Sequence, residues 1–308
     1  MNQASNEIIN EVKKVIHGKD HVIKQTLAAI FAGGHILLED IPGVGKTTLA
    51  MSFARAMALD YRRMQFTPDV LPSDLVGFNM YDKSTETFKY REGAVYTNLF
   101  LADEINRTSP KTQSALLEVM EEGRATVEGV TRDLPTPFFV IATENPFGSS
   151  GTQKLPESQL DRFMICLTMG YPDKDSAISI LKGESKQDIN DIKPILSGQM
   201  LTDIQHQVAA VKVDDSLYEY IVALTDATRD TINFSLGLSP RGSKALLKVA
   251  KAMAFIDGRD FLTPEDIQDA FMPVLIHRVK LSSRQKAAGV SLELTLRNLL
   301  SSVSIPKL

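Results

Sequence analysis

The feature that most constrains the fold is a set of three short apolar runs: His35–Glu39, Asn98–Asp103 and Phe138–Thr143. None of them alternates apolar with polar residues, which is the pattern of strands buried on both faces. The segments between them carry apolar residues at helical spacing, such as Leu49 and Phe53. Strands that alternate with helices predict an α/β fold, in which a parallel sheet is flanked by helices on both faces.

The chain is long enough for two domains, since it has 308 residues and a typical domain has about 150. After Tyr171-Pro172 the strand-like runs stop and helix-like segments continue. We therefore predict an α/β core over residues 1–171 and an all-helical domain over residues 172–308.

Several short motifs predict where helices begin and end. Ser109-Pro110 and Ser239-Pro240 each place a capping serine before a proline, as in the first turn of many helices. Gly123 marks the expected end of the first of these two helices. Thr202-x-x-Gln205 and Thr263-x-x-Asp266 both resemble capping boxes, which would begin two further helices.

The composition indicates a soluble globular protein, with 43% hydrophobic and 23% charged residues. No apolar run approaches the roughly 20 residues needed to span a bilayer. The N-terminus has no basic segment followed by an apolar one, as a secretion signal would. We therefore expect a cytoplasmic protein that does not insert into membranes.

Metal and nucleic-acid sites find little support in the sequence. The one cysteine, Cys166, lies in an apolar run and can form neither an internal disulfide nor a cysteine-based zinc site. The five histidines are scattered and form no HExxH pattern. A formal net charge of −4 without Lys or Arg runs weighs against a nucleic-acid partner, although folding could still create a locally basic channel.

Residues 39–50, EDIPGVGKTTLA, nearly match the phosphate-binding pattern GxxxxGK[ST]. Gly45, Lys46 and Thr47 fill its last three places, whereas Asp40 stands at the first, where the pattern has glycine. The stretch follows a predicted strand and precedes a predicted helix, as a working loop must. The alternative is a glycine-rich turn that happens to precede a lysine.

Residues of such a loop have separate chemical roles. Gly43 and Gly45 let backbone N–H groups approach a phosphate without a Cβ in the way, and the helix that follows adds its positive end. Lys46, which we expect to be exposed, reaches the β- and γ-phosphates, and Thr47 ligates Mg²⁺ through its hydroxyl. The loop therefore predicts a site for a nucleoside triphosphate with Mg²⁺.

The second apolar run ends in two carboxylates, Asp103 and Glu104. At the end of a buried strand, Asp103 would hold the Mg²⁺ shell, and Glu104 would orient and polarise the attacking water. The alternative is a strand that merely ends in solvated acids. Together with the phosphate loop, the two carboxylates predict hydrolysis of the nucleotide.

Three further polar residues suit the same chemistry. Asn145 can hydrogen-bond the attacking water and the γ-phosphate, unless it only forms a turn with the proline that follows. Arg162 offers a planar fork of donors for phosphate oxygens, or else pairs with Asp161 on the surface. Arg241 stands in the first turn of a predicted helix, where the helix dipole disfavours a cation. That position favours a bound anion nearby, although exposed arginines tolerate it.

The ordered series of motifs resembles an AAA+ ATPase, and more narrowly the MoxR-type family. Its Walker A motif falls on Gly43–Thr48, Walker B on Asp103-Glu104, sensor 1 on Asn145, the arginine finger on Arg162 and sensor 2 on Arg241. The stretches that carry the resemblance are IHGKDHVI (16–23), GGHILLEDIPGVGKTTLA (33–50), QFTPDVLPSDLVG (65–77), LFLADEINRTSPKTQSALLEVMEEG (99–123), VIATENP (140–146), LPESQLDRF (155–163) and LSPRGSKALL (238–247).

The resemblance implies an AAA+ phosphate-loop core, with a parallel sheet flanked by helices, followed by an all-helical lid. It implies hydrolysis of ATP with Mg²⁺ by a homo-oligomeric ring, expected to be a hexamer. Such rings remodel or activate client proteins, some of which carry von Willebrand factor A domains. The residues implied are Pro42, Gly43, Val44, Gly45, Lys46, Thr47 and Thr48 for ATP, Ile16 and Gly18 for the adenine, Thr47 and Asp103 for Mg²⁺, and Glu104, Asn145, Arg162 and Arg241 for catalysis.

The resemblance also accounts for two insertions and two departures. Residues 81–92 and 124–135 would form hairpins that line the central pore, with Gly129 near the second turn; the alternative is ordinary surface hairpins. Asp40 replaces the first Walker A glycine, and Glu144 stands where glutamine is expected in many relatives. Neither departure removes a residue needed for hydrolysis.

Two other functions stay open at this point. A nucleic-acid motor would show a basic pore and ATP hydrolysis stimulated by DNA. A nucleotide-dependent scaffold would bind ATP with little turnover, against which the presence of Glu104, Asn145 and Arg162 argues.

Overall fold

The computed structural model describes residues 2–145, 154–182 and 188–307. The helices in these residues are α1 (Gln3–Lys13), α2 (Asp20–Phe31), α3 (Lys46–Ala56), α4 (Pro72–Val76), α5 (Pro110–Glu122), α6 (Glu157–Leu160), α7 (Lys174–Lys182), α8 (Gly198–Ala209), α9 (Asp215–Ala227), α10 (Pro240–Ile256), α11 (Pro264–Leu275), α12 (Ser283–Ala287) and α13 (Leu292–Ser302). The strands are β1 (Ile36–Glu39), β2 (Tyr61–Gln65), β3 (Phe78–Asp82), β4 (Thr87–Arg91), β5 (Leu99–Asp103), β6 (Arg124–Val127), β7 (Val130–Asp133), β8 (Phe139–Glu144), β9 (Ile165–Leu167), β10 (Phe234–Leu236) and β11 (Lys280–Leu281). None of the described helices is long and apolar enough to cross a membrane.

A five-stranded sheet in the order β2-β5-β8-β1-β9 forms the centre of the first part, and its neighbouring strands are all parallel. The three predicted strands are β1, β5 and β8, so the predicted fold class is confirmed. In register, Gln65 lies beside Asp103, and Glu39 lies beside Glu144. The strand ends therefore meet along one side of the sheet, which we call the carboxyl edge; the opposite side is the amino edge.

The sheet is buried because successive side chains enter two apolar clusters. On β5, Leu99 and Leu101 join the cluster that contains α3, whereas Phe100 and Ala102 join the one that contains α5. Burial of one such large side chain contributes roughly 1.5–3 kcal/mol. Because both faces are covered, the strands show apolar runs rather than period-two alternation.

The second part is mainly helical, and it adds a short antiparallel pair, β10 with β11. Helix α10 begins after the Ser239 cap, as predicted, and the capping box of Thr263 and Asp266 begins α11. The capping box predicted at Thr202 is wrong. Helix α8 begins earlier, after Ser197, and the Thr202 hydroxyl donates to the Gly198 carbonyl within the helix. A threonine inside a helix can bond backward in this way, so its motif alone does not mark a helix start.

The two parts share one apolar cluster. Ile30 of α2, Leu246 of α10 and Phe271 of α11 all belong to it and are fully buried. The His277 ring nitrogen Nε2 also lies 3.1 Å from the Phe163 carbonyl oxygen, next to β9. The division after residue 171 stays a prediction, since packing is continuous across it.

Both predicted insertions are antiparallel hairpins, formed by β3 with β4 and by β6 with β7. Glu128 and Gly129 both have positive φ, 50° and 78°, at the turn of the second hairpin, which fits the twist of a tight hairpin. The hairpins touch, because Asn79 Nδ2 donates to Glu128 Oε2 at 2.6 Å. The Arg132 guanidinium lies 3.7 Å from the centre of the Tyr90 ring. Their place in a central pore is untested.

Candidate active site

The predicted phosphate loop joins β1 to α3 at the carboxyl edge. Gly43 and Gly45 adopt positive φ values of 86° and 97°. At Gly43 an added Cβ would meet no atom within 4 Å, so glycine is favoured there by the backbone conformation rather than by space. Gly45 precedes the first turn of α3, whose free N–H groups and positive end suit an anion.

Lys46 lies across the loop rather than in solvent. It is only 8% exposed, so the expectation of an exposed lysine is wrong. Its Nζ donates to the Asp40 carbonyl at 2.7 Å, which folds the side chain back over the loop. Burial lowers the pKa of Lys46, and the nearby carboxylates of Asp103, Asp40 and Glu104 act in the opposite direction.

Asp40, the departure from the glycine pattern, has a structural role. Its side chain is buried, and Oδ2 accepts a hydrogen bond from the Gly170 N–H at 2.7 Å. Oδ1 accepts one from the Ile41 N–H at 2.9 Å. The carboxylate therefore ties the start of the loop to the chain that follows β9, a link that glycine would lack.

A cleft of about 390 Å³ contains both the loop and the predicted acids. In it, the buried Asp103 accepts hydrogen bonds on both carboxylate oxygens. Thr143 Oγ1 donates to Oδ1 at 2.6 Å, and Arg63 Nη2 donates to Oδ2 at 2.6 Å. The Thr143 hydroxyl also accepts from the Glu104 N–H at 2.8 Å, so it links the two acids. The alternative of two merely solvated acids does not describe this arrangement.

Glu104 is turned toward its own chain. Its backbone is left-handed, with φ 58°, a strained conformation for a residue with a side chain. Oε2 accepts hydrogen bonds from Gln65 Nε2 at 2.9 Å and from Arg107 Nη1 at 2.7 Å. These two donors hold the carboxylate at the rim of the cleft.

Asn145 and the segment assigned to adenine also lie at the carboxyl edge. Asn145 follows β8, and its carbonyl accepts a hydrogen bond from Asn106 Nδ2 at 3.2 Å. The next residue, Pro146, lies outside the described residues, so the predicted Asn-Pro turn is not described. Ile16 Cδ1 would lie 3.9 Å from a Cβ added at Gly45, which places Ile16 beside the loop. Gly18, two residues on, has a positive φ of 67°.

Arg162 and Arg241 lie elsewhere. They line a cavity of about 280 Å³ together with Gly34 and His35, the residues that precede β1. This cavity is at the amino edge, whereas the loop is at the carboxyl edge. One copy of the chain thus brings Glu104 to the cleft of the phosphate loop and Asn145 to the same edge of the sheet, but it does not bring the two arginines there. The pairing of Arg162 with Asp161 that was the alternative is not found among the described contacts.

Comparison with known proteins agrees with this geometry. The model of the ATPase family associated with various cellular activities (AAA) matches residues 35–165, and the model of the AAA lid domain matches residues 226–295. Chaperone MoxR1 of Mycobacterium tuberculosis is 36% identical over 310 residues, covering 97% of this chain and 81% of that protein. This chain belongs to the MoxR-type AAA+ ATPase family.

Further relatives of this MoxR-type chain are found among proteins and solved structures. The uncharacterized protein YeaC of Bacillus subtilis is 45% identical over 299 residues, covering 97% of this chain and 93% of that protein. The crystal structure of a candidate ATPase from Cytophaga hutchinsonii superposes with a TM-score of 0.90 at 38% identity, covering 99% of this chain and 96% of that one. The superposition extends the likeness over both the α/β core and the helical lid.

The donor set of the MoxR-type site fits a nucleotide with Mg²⁺. Lys46, Thr47 and Asp103 line one cleft with the start of α3. There, helix N–H groups and Lys46 would suit phosphates, and Thr47 and Asp103 would be hard oxygen ligands. Among the described residues no three His, Cys, Asp or Glu side chains form a metal cluster. Mg²⁺ keeps several waters and is usually held by one or two protein ligands plus substrate phosphates, a number that Thr47 and Asp103 would supply.

Sequence reasoning missed three residues of this site: Arg63, Gln65 and Thr143. Arg63 and Gln65 lie on β2, a partly exposed edge strand without a long apolar run, so no strand was predicted there. Thr143 ends a predicted strand, and only the register between β5 and β8 brings its hydroxyl to Asp103. The polar residues at the ends of β2 and β8 were a usable signal, because strand ends of one parallel sheet lie at the same edge and can contact each other.

Glu144 has an unusual environment for a carboxylate. Burial, and then the neighbouring Glu39 carboxylate, raise the pKa of Glu144 to about 7, while Lys154 and Lys280 act in the opposite direction. Glu39 lies directly beside it in the register of β1 and β8. The Oε1 atom of Glu144 is buried and accepts no hydrogen bond within the described residues.

Proposed function

We propose that this chain hydrolyses ATP to ADP and phosphate with Mg²⁺. The observation that carries the proposal is the single cleft that contains Lys46 of the phosphate loop and the two acids Asp103 and Glu104. The N–H groups of the loop and Lys46 would bind the phosphates. Thr47 and Asp103 would hold Mg²⁺, which neutralises charge on the phosphates when bound. Ile16 and Gly18 would lie beside the adenine.

Glu104 is the proposed acceptor that orients the attacking water, with Asn145 as its neighbour at the same edge. Its carboxylate now accepts hydrogen bonds from Gln65 and Arg107, so it must leave these donors to face water at the γ-phosphate. The change is a side-chain rotation, because the backbone of Glu104 is already fixed by the Thr143 hydroxyl.

The site is completed by a second copy of the chain. Arg162 and Arg241 lie at the amino edge, away from the loop of their own chain. In a closed ring, the amino-edge surface of one subunit would meet the nucleotide of the next. There the two arginines would stabilise the charge that develops during phosphoryl transfer. We infer a homo-oligomeric ring, a hexamer by family resemblance.

The ring is proposed to remodel or activate client proteins in the cytoplasm, some with von Willebrand factor A domains. Similarity to Chaperone MoxR1 over most of both chains supports a chaperone-like role. The two hairpins contact each other, and we propose that their joint surface faces the client.

Glu104→Gln tests the proposed chemistry. The amide cannot accept a proton from water, so ATP binding with Mg²⁺ should match the wild type while turnover falls about 10²- to 10⁴-fold. Both are measured on the assembled protein, by nucleotide titration and by phosphate release. Glu219→Gln, a change of an exposed carboxylate on α9, is the matched control and should keep wild-type turnover. Wild-type turnover by Glu104→Gln would show that the catalytic acid lies elsewhere.

A further inference from the structure

The cavity at the amino edge carries a concentration of charge that the phosphate loop does not explain. Of the residues that line it, five are cationic and two are acidic: Arg162, Arg241, Lys244, Lys248 and Arg278, with Glu121 and Asp161. The core supplies Arg162 and both acids, and the helical part supplies the other four cations. The two carboxylates form ion pairs with three of these cations, Arg162, Arg241 and Arg278.

Glu121, in the last turn of α5, joins one arginine from each part. Its Oε2 lies 3.2 Å from Arg162 Nη1, and its Oε1 accepts a hydrogen bond from Arg241 Nη2. The side chains of Glu121, Arg162 and Arg241 are 35%, 31% and 45% exposed, so the group is open to a ligand on one side. A single carboxylate thus holds two guanidinium groups together at the surface.

The two arginines depend on Glu121 to different degrees. Arg162 Nη1 also donates to the Leu117 carbonyl at 2.6 Å, one turn earlier on α5. Among the described residues, Arg241 makes its side-chain hydrogen bond to Glu121 alone. Arg241 also stands in the first turn of α10, where the helix dipole repels a cation, and next to the buried Arg278. Without the carboxylate, like charges would drive Arg241 away from Arg162.

Asp161 fixes the surrounding frame rather than the arginine pair. Its Oδ1 accepts from Arg278 Nε at 2.8 Å, and its Oδ2 accepts from the Ser239 hydroxyl at 2.9 Å. The start of α10 is thereby attached to the residue that precedes Arg162. With the start of α10 held by Asp161, the Arg241 side chain can still rotate, and its hydrogen bond to Glu121 restricts that rotation.

We propose that Glu121 is a positioning residue that holds Arg162 and Arg241 as one unit, which meets the triphosphate bound by the adjacent copy of the chain. The proposal rests on the proposed function, because it needs both arginines to act on a neighbour's nucleotide. It adds that the lid arginine reaches that nucleotide only through the core carboxylate. Movement of the helical lid would then shift Arg162 and Arg241 together.

Glu121→Gln is the test, because the amide keeps the shape and loses the charge. Turnover of the assembled ring should fall about 10- to 100-fold, the size expected when a reacting group is misplaced by about 1 Å. ATP affinity of the separate subunit should stay unchanged. Glu122→Gln is the matched control: this neighbouring carboxylate pairs with Arg124 at 2.9 Å, and its loss should leave turnover at the wild-type rate.

Two readouts separate positioning from a general structural role. In an Arg241→Ala background, Glu121→Gln should lower turnover by no more than about 2-fold, because its effect passes through that arginine. Mixing Glu121→Gln subunits with Lys46→Ala subunits, which bind no ATP but keep the whole arginine unit, should restore hydrolysis at the Glu121→Gln sites.

The proposal fails if Glu121→Gln matches Glu122→Gln, if its effect is fully retained without Arg241, or if mixing restores nothing. It also fails if Glu121→Gln rings do not assemble, as judged by sedimentation, since the carboxylate would then serve assembly. Wild-type turnover by both Arg162→Ala and Arg241→Ala would instead refute the proposed catalytic role of the two arginines. Loss of turnover in those two variants with a normal Glu121→Gln would refute only the role of Glu121.

Discussion

Asp40 links the phosphate loop to the chain beyond β9 through the Gly170 N–H, at a position where the usual pattern has glycine. The loop glycines proposed to bind phosphate are Gly43 and Gly45, whose backbones are left-handed and which precede α3. Asp40 therefore leaves the proposed anion site intact, and its carboxylate holds the start of the loop through the Gly170 N–H.

Glu144→Gln should stabilise the protein at neutral pH and above. The folded-state pKa of Glu144, about 7, lies above its ordinary value of 4.5. The stability linked to this acid is thus complete below about pH 4.5 and is lost as the pH rises to about 7. The permanently neutral glutamine should raise the free energy of unfolding by about 2 kcal/mol at pH 8 relative to wild type. The gain should shrink as the pH falls to about 5.

Denaturant unfolding at a series of pH values measures this difference. Glu122→Gln, which changes a half-exposed carboxylate that pairs with Arg124, is the control and should show no such pH-dependent gain. A Glu144→Gln difference that stays constant between about pH 5 and pH 8 would show that Glu144 titrates normally.

At the scale of elements, what could be predicted from the sequence depended on burial. The strands β1, β5 and β8 are buried on both faces and stand out as apolar runs. The edge strand β2 contains two consecutive arginines, Arg62 and Arg63, and gave no comparable signal. The Thr263 cap was predicted correctly because Asp266 completes it, whereas the Thr202 motif lies inside a helix that begins after the Ser197 cap.

Some residues of the candidate site could be predicted from local motifs, whereas others are brought there only by the fold. Residues next to each other in sequence, such as those of the phosphate loop and the Asp103-Glu104 pair, were predictable from their motifs. The contacts of Thr143 with Asp103 and of Gln65 with Glu104 join separate strands and depend on sheet register. The position of Arg241 beside Glu121 depends on how the helical part packs on the core, which no local pattern encodes.

The start of α11 offers a stability test at this scale. The buried Asp266 carboxylate accepts two hydrogen bonds of 2.6 Å from the Arg259 guanidinium. It also accepts one from the Thr263 N–H, which completes the capping box of α11. Asp266→Ala removes the buried carboxylate of this pair and leaves Arg259 with the longer ion pair to Asp257, at 3.6 Å, so the free energy of unfolding should fall by about 3 kcal/mol. Asp260→Ala, which removes the exposed partner of Lys212, should lower the free energy of unfolding far less, because solvent screens an exposed pair. Equal losses for the two variants in denaturant unfolding would contradict the assigned role of the buried pair.

At the scale of the whole molecule, the two halves of the proposed site lie at opposite edges of one sheet. The phosphate loop and Glu104 are at the carboxyl edge, and Arg162 and Arg241 are at the amino edge. Neither Arg162 nor Arg241 therefore lies at the phosphate loop of its own copy. Hydrolysis is expected to require assembly, and specific activity should rise with protein concentration until rings are complete.

Mixed rings of Arg162→Ala and Lys46→Ala subunits test this central claim most directly. Arg162→Ala subunits keep the loop and Glu104 but offer no finger, whereas Lys46→Ala subunits offer the finger but bind no ATP. An arginine finger is worth roughly 10³- to 10⁵-fold in rate, so each variant alone should be nearly inactive. We predict that turnover, measured against mixing ratio at a fixed concentration above the assembly threshold, passes through a maximum at intermediate ratios. A rate that never exceeds that of the two separate variants, despite verified mixed assembly, would contradict a site shared between subunits.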